Sequence, residues 1–91
     1  MHILLVEDEK KIATFVRRAL EEQGFTVEYV ADGDEAHVRA HGGQYDLIIL
    51  DIMVPGRDGL SILRSLRDER NSVPVILLTA RGALDERLHG L

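Results

Sequence analysis

The sequence contains no cysteine, so it offers neither a disulfide framework nor a thiolate metal site. No apolar run approaches the ~20 residues that a membrane-spanning helix needs. The N-terminus has no basic stretch followed by a longer apolar region, so no signal peptide is expected. Basic residues number 11 against 16 acidic ones, and the net charge of −5 argues against a nucleic-acid-binding surface. These absences predict a cytoplasmic protein that binds neither membranes nor nucleic acid.

What the sequence does contain is enough for one small domain over residues 1–91, with 45% hydrophobic and 30% charged residues. Three short apolar runs are rich in branched side chains and bounded by polar residues, which is typical of strands buried on both faces. A fourth strand, Phe25 to Val30, alternates polar and apolar residues, as at a sheet edge. The three runs, with the polar residues that end them, are Ile3 to Val6 before Glu7 and Asp8, Leu47 to Leu50 before Asp51, and Val75 to Leu78 before Thr79.

Helical spacing separates these strands. The first helix has Ile12, Val16, Ala19 and Leu20 on one face with Phe15 beside them; Asp8 or Glu9 can cap its start, and Gly24 fits the C′ position at its end. The second helix covers about Asp34 to His41, after a turn and cap at Asp32 to Asp34 and before Gly42 and Gly43. The third covers Leu60 to about Arg70, and the fourth begins near Ala83. Strands that alternate with helices predict an α/β fold with a parallel sheet covered on both faces.

The carboxyl ends of parallel strands meet at one sheet edge, where open α/β sheets bind ligands. Glu7, Asp8, Asp51 and the Thr79 hydroxyl would converge there. Carboxylates held this close repel one another or require a cation, and a hard ion such as Mg²⁺ with oxygen ligands suits them. The ion would draw a phosphorylated donor toward Asp51, which can form an acyl phosphate as a nucleophile. The alternative is structural: acidic residues after strands often cap helices, and Thr79 can bond locally.

At these residues the chain resembles the receiver domain of bacterial two-component response regulators. The motifs are Ile3 to Glu9, Asp51 to Gly59 and Leu77 to Arg81, and their order and spacing also match. Leu77 to Arg81 and Arg87 to Leu91 further resemble the subfamily that carries a winged-helix DNA-binding domain after the receiver. The resemblance implies a flavodoxin-like doubly wound sheet, here with about four strands in the order 2-1-3-4 and four helices.

The resemblance also implies the role of each site residue. Asp51 would be the phosphoacceptor, phosphorylated by a sensor histidine kinase, and Thr79 the switch hydroxyl. Pro55 and Gly59 would shape the loop beside the acceptor. Ala80, being small, would act as a gate that leaves the site open to a phosphoryl donor. In the family the first helix docks the kinase, so the surface around Lys11, Thr14 and Phe15 is a candidate partner face, although Phe15 could equally belong to the core. Mg²⁺ would be held by the side chains of Glu7, Asp8 and Asp51 and by the Met53 backbone carbonyl.

One departure from the family is clear. Family receivers continue to a fifth strand and helix, with a lysine that contacts the phosphoryl group, whereas this sequence ends at Leu91. Its two lysines, Lys10 and Lys11, lie on the first helix, so no switch lysine is present. We therefore expect a C-terminally truncated receiver without a DNA-binding domain. We also expect self-association through the fourth-strand edge or the fourth helix, including exchange of elements between copies.

Three functions follow as hypotheses. The first is a phosphoryl-accepting receiver that regulates transcription in the full-length protein and is a substrate more than an enzyme. The second is a self-associating interaction module in which phosphorylation signalling is lost. The third is a phosphatase-type enzyme with an aspartyl-phosphate intermediate, which Met53 disfavours because it occupies the position of the second acid. His37 and His41, four residues apart, are interpreted as solvated surface side chains rather than a metal site.

Overall fold

The computed structural model describes residues 1–78, which form four strands and three helices in strict alternation. No helix within this range is long and apolar enough to cross a membrane. The expected fourth helix from Ala83, together with Thr79 and Ala80, lies outside the described residues. In chain order the elements are β1 (His2–Val6), α1 (Lys10–Glu22), β2 (Thr26–Val30), α2 (Gly33–Gly42), β3 (Leu47–Asp51), α3 (Gly59–Asp68) and β4 (Val75–Leu78).

The four strands form one parallel sheet in the order β2-β1-β3-β4, as expected. Leu4 of β1 lies opposite both Glu28 of β2 and Ile48 of β3, and Ile49 lies opposite Ile76 of β4. The half-polar strand β2 is an edge strand, which confirms the interpretation of its alternating pattern. Since all strands run the same way, the residues after β1 and β3 emerge at the same edge.

The sheet is buried on both faces, because its central strands send alternate residues to opposite sides. On one side Leu4, Val6, Ile48 and Leu50 pack with residues of α2 and α3. On the other side Ile3, Leu5 and Ile49 pack with residues of α1. The residues contributed by the helices are Ala36, Ala40, Ile62 and Leu66 on the first side and Ala13, Val16 and Leu20 on the second.

The expected inner face of α1 is partly wrong. The helix turns Ala13, Val16 and Leu20 toward the sheet, whereas Ile12, Phe15 and Ala19 are exposed. Each exposed residue directly precedes an inward one and is therefore about 100° further round the helix. The small side chain of Ala13 makes the close contact with the sheet, whereas the sequence pattern predicts Ile12 at this place. Phe15, 75% exposed, does not belong to the core of the described domain.

The helices α1 and α3 are each followed by a residue with positive φ and close with the same pair of backbone hydrogen bonds. Gly24, with φ +90°, follows α1, and the amides of Gly24 and Phe25 donate to carbonyls of the last turn, which confirms its C′ position. The helix α3 ends at Asp68 rather than Arg70. Arg70 has a φ of +62°, and Asn71 donates back to the Leu66 carbonyl, so the same hydrogen-bond pattern closes this helix without a glycine.

Of the two side-chain caps predicted at helix starts, the one before α2 is present and the one before α1 is not. Asp32 accepts a hydrogen bond from the Glu35 amide, as a cap should. Glu9 occupies the N-cap position of α1, but its side chain makes no capping bond, so the expected side-chain cap is wrong. Glutamate has one methylene more than the side chains that favour this position. The Glu9 amide donates instead to the carboxylate of Glu7.

Candidate functional site

Three carboxylates meet at the carboxyl edge of the sheet. Asp51 ends β3, and Glu7 and Asp8 directly follow β1, its parallel neighbour. One oxygen from each residue lies within 4.8 Å of the others. Glu7 and Asp51 are only 3% and 7% exposed, whereas Asp8 faces solvent. The convergence expected from the order of the strands therefore exists for these three residues.

Backbone amides hold two of these carboxylates in place. The Met53 amide donates to Asp51 Oδ1 at 3.0 Å, and the Glu9 amide donates to Glu7 Oε2 at 3.0 Å. Each bond occupies one oxygen of a group that offers two, so acceptor capacity remains on both carboxylates. A cluster of three oxygen donors without nitrogen or sulfur suits a hard divalent cation. Met53 follows Asp51 closely, and its side chain is 61% exposed.

Burial raises the pKa of Glu7 from 4.5 to about 7. The hydrogen bond from the Glu9 amide opposes this shift, while the nearby carboxylates of Asp51 and Asp8 add to it. Removing a carboxylate from water penalises its charged form, and neighbouring negative charges do the same. Glu7 is therefore largely protonated in the metal-free protein under mildly acidic conditions. A cation that binds the cluster must displace this proton.

The raised pKa predicts that the metal-free protein loses stability as the pH rises from about 4.5 to about 7. In this window the folded state holds a proton on Glu7 that the unfolded chain releases, so the free energy of unfolding falls with increasing pH. We expect a loss of roughly 1–3 kcal/mol, since solvent screening reduces the full effect of the shift. Urea unfolding in the presence of a chelator, repeated across this window, measures it.

The matched variant is Glu7→Gln, which keeps an oxygen for the Glu9 amide but cannot ionise. Other groups titrate in the same window, so the informative quantity is the difference between the parent and Glu7→Gln. We expect the variant to be more stable than the parent at pH 7 and the difference to vanish toward pH 4.5. Parallel pH profiles for the two proteins would contradict this assignment of the shift to Glu7.

The segment after Asp51 is fixed by two close backbone contacts. A Cβ on Gly59 would lie 2.7 Å from the Asp51 carbonyl oxygen, so the start of α3 can approach β3 only with glycine there. The Gly33 amide donates to the Pro55 carbonyl at 2.8 Å, and a Cβ on Gly33 would lie 1.7 Å from the Arg57 carbonyl oxygen. The N-terminus of α2 therefore supports the loop that follows Asp51.

The sequence pattern did not reveal this support. The sequence predicts a turn and cap at Asp32 to Asp34, and the cap is present. The contact of Gly33 with residues 55–57, however, joins segments more than twenty positions apart. A glycine in the first turn of a helix, where helix propensity disfavours it, was the available signal. Thr79 and Ala80, the other expected site residues, lie outside the described part of the chain.

A family model, the response regulator receiver domain, matches residues 3–91. The chain therefore belongs to the response regulator receiver domain family. The transcriptional regulatory protein TcrA of Mycobacterium tuberculosis is 48% identical over 91 residues, which cover 100% of this chain and 36% of TcrA. The chain thus spans about a third of the length of this relative. The resemblance seen in the sequence motifs is confirmed at the level of the family.

Solved structures agree. The response regulator TrrA of Thermotoga maritima, in complex with Mg²⁺ and BeF, is 36% identical with a TM-score of 0.84, covering 96% of this chain and 76% of that one. In a second structure the histidine kinase ThkA is in complex with TrrA; the match has a TM-score of 0.78 and 38% identity, and covers 87% of this chain and 68% of that chain. The flavodoxin-like receiver fold of this chain is thereby confirmed.

Proposed function

We propose that this domain accepts a phosphoryl group on Asp51 in a Mg²⁺-dependent reaction and so serves as the receiver of a transcriptional response regulator. The observation that carries the proposal is the buried pair Glu7 and Asp51, with Asp8 beside it, at the carboxyl edge of the sheet. The residues fit Mg²⁺, since it prefers carboxylate oxygens and retains several waters. The side chains of Glu7, Asp8 and Asp51 and the Met53 carbonyl would hold the ion.

In the proposed reaction a carboxylate oxygen of Asp51 attacks the phosphorus of the donor. The bond between phosphorus and the leaving group breaks, and the leaving group departs with its electron pair. With a phosphohistidine donor the leaving group is the imidazole nitrogen, and with acetyl phosphate it is acetate. When bound, Mg²⁺ would neutralise negative charge on the transferred group. The Met53 amide fixes Asp51 Oδ1, which leaves Oδ2 as the attacking oxygen. In this reaction the domain is a phosphoacceptor rather than an enzyme with turnover.

The loop and gate residues are assigned by the same proposal. Gly59 permits the close approach of α3 to β3, and Pro55 receives the hydrogen bond from Gly33 that holds the loop. We also assign the switch hydroxyl to Thr79 and the open gate to the small side chain of Ala80. These last two roles rest on the family motif alone.

Binding of a phosphoryl mimic tests the proposal directly. Beryllofluoride with Mg²⁺ should bind the parent domain and raise its thermal midpoint, because ligands that bind only the folded state stabilise it. Beryllofluoride without Mg²⁺, and Mg²⁺ with beryllofluoride on an Asp51→Asn variant, should both give much smaller shifts. Equal stabilisation of parent and variant would argue against Asp51 as the acceptor.

The proposed phosphoryl donor is a sensor histidine kinase in the cytoplasm, and the structure of TrrA with the kinase ThkA supports this class of partner. A candidate docking surface is the exposed part of α1 around Lys11, Thr14 and Phe15. These residues line a shallow depression together with Lys10 and Arg18. Transcriptional control would be an activity of the longer protein, as the name of TcrA suggests.

Self-association is a second candidate function, which one observation favours. Ile76 is 49% exposed on β4, the outer strand of the sheet in the described residues. An apolar edge strand without charge recruits further chains. Sedimentation velocity over a range of concentrations should then detect dimers that an Ile76→Lys variant does not form. A parent that remains monomeric at the highest concentration would remove this candidate.

A further inference from the structure

Two histidines lie at the seam between α2 and α3, on the sheet face that faces away from α1. His41 is only 15% exposed, and its Nε2 lies 3.0 Å from Ser65 Oγ and 3.3 Å from Glu69 Oε2. His37, one turn earlier, has its ring centroid 4.1 Å from that of His41. They are therefore not the solvated surface side chains expected from the sequence. The seam joins α2 to the end of α3 through side chains that can ligate metals.

The hydrogen bonds of His41 fix its tautomer. Nδ1 lies 2.7 Å from the His37 carbonyl oxygen, which can only accept, so Nδ1 carries a proton. In the neutral ring Nε2 then accepts a hydrogen bond from the Ser65 hydroxyl at 3.0 Å. The Glu69 carboxylate has no proton to donate, so a proton or a metal ion between Glu69 Oε2 and Nε2 is what would favour their 3.3 Å approach. Histidines that bind metals commonly donate their other ring N–H to a backbone carbonyl in this way.

His37 supplies a second unusual nitrogen. Its Nδ1 is buried and has no hydrogen-bond partner within the described residues. Buried polar groups without partners are uncommon, and each calls for a physical explanation.

We propose that His41 Nε2 and the Glu69 carboxylate, joined by His37 after rotation of its side chain, form a site for a divalent transition-metal ion such as Zn²⁺. Imidazole and carboxylate ligands suit Zn²⁺ and its neighbours in the periodic table, whereas Mg²⁺ prefers oxygen alone. Among the residues that the structure describes, only the acidic cluster has three ligand atoms mutually within 4.8 Å, so the His37 side chain must rotate to complete this site. It is therefore separate in both place and ligand type from the acidic cluster.

The surrounding charges act in both directions. Glu69 and Asp34 favour a cation near His37, and Arg57 opposes one. Glu69 is 57% exposed, so an ion can enter from solvent along its carboxylate. An occupied site would link α2 to α3, both of which pack against the sheet through Ala40 and Leu66. The metal would thus brace the helical layer that also supports the loop after Asp51.

A titration with Zn²⁺, monitored by NMR through the histidine ring resonances, tests the site. Excess Mg²⁺ is added so that the acidic cluster is occupied by Mg²⁺. We expect Zn²⁺ to shift or broaden the His37 and His41 ring signals and to leave those of His2 unchanged. Zn²⁺ should also raise the thermal midpoint of the protein. The Glu69→Gln variant, which changes an exposed side chain and leaves both histidines, should bind Zn²⁺ at least about tenfold more weakly.

The variant His41→Ala should abolish the zinc-dependent shift of His37, and His2→Gln should retain it as the matched control. A simpler explanation of the seam is an ion pair between protonated His41 and Glu69. In that case the ring signals would follow pH but not Zn²⁺, which would overturn the proposal. Zinc-dependent changes confined to residues near Asp51, or equal affinity in the parent and Glu69→Gln, would overturn it as well.

Discussion

Replacing Asp51 by asparagine is expected to abolish the phosphoryl adduct that acetyl phosphate and Mg²⁺ form on the parent domain. Asparagine keeps a carbonyl oxygen for the Met53 amide, so the local backbone is preserved. Its amide nitrogen, however, offers neither the charge nor the nucleophilic oxygen of the carboxylate. Intact-mass spectrometry after incubation should therefore detect an adduct on the parent and none on Asp51→Asn.

The matched control is Asp68→Asn, which makes the same chemical change at an exposed position at the end of α3. It should form the adduct to the same extent as the parent. Circular dichroism should give the same fold for all three proteins. An adduct on Asp51→Asn would mean that another carboxylate, with Glu7 or Asp8 nearest, accepts the group. No adduct on a folded parent would mean that residues 1–91 lack a group the reaction needs, such as the switch lysine of the family.

Asp51→Asn should also stabilise the metal-free domain, since it removes one of the negative charges that raise the pKa of Glu7. Like charges in a partly buried cluster cost stability until a cation neutralises them. The same variant is therefore expected to lose function and gain stability. This combination identifies a site whose carboxylates are retained for chemistry, because random damage to the fold lowers both.

The sheet and its acidic edge were predictable from the sequence, because both depend on short patterns. A continuous apolar run such as Leu47 to Leu50 can be buried on both faces only in a central strand, and the parallel order then fixes where Asp51, Glu7 and Asp8 emerge. The structure confirms the strand order and brings these three carboxylates together. Their proximity followed from topology, not from any feature of the individual residues.

The rest depended on contacts between distant segments, which a periodic pattern does not encode. Hydrophobic spacing on α1 predicts Ile12 as an inward residue, whereas the close packing of the helix on the sheet places the smaller Ala13 there. The seam of His41 with Ser65 and Glu69 joins residues more than twenty positions apart. The hydrogen bond from Gly33 to Pro55 is of the same kind.

Because of that last contact, we expect the variant Gly33→Ala to lose much of its stability. The added methyl group would lie 1.7 Å from the Arg57 carbonyl oxygen, far inside van der Waals contact, and the obstacle is backbone rather than a flexible side chain. Either α2 or the loop at residues 55–57 must move. We expect a loss of about 1–3 kcal/mol or more in the free energy of unfolding, as for other overpacked sites.

The rate of adduct formation in Gly33→Ala distinguishes a displaced loop from a fold that is only less stable. The loop begins directly after the Asp51 strand, so its displacement should slow adduct formation from acetyl phosphate even at low temperature, where the variant remains folded. The matched control is Gly42→Ala in the same helix, where an added Cβ meets nothing within 4 Å. That variant should keep the parent's adduct rate and its stability to within about 1 kcal/mol. If Gly33→Ala were destabilised but formed the adduct at the parent's rate, the contact would be structural only, and the loop would reach its reactive geometry without support from α2.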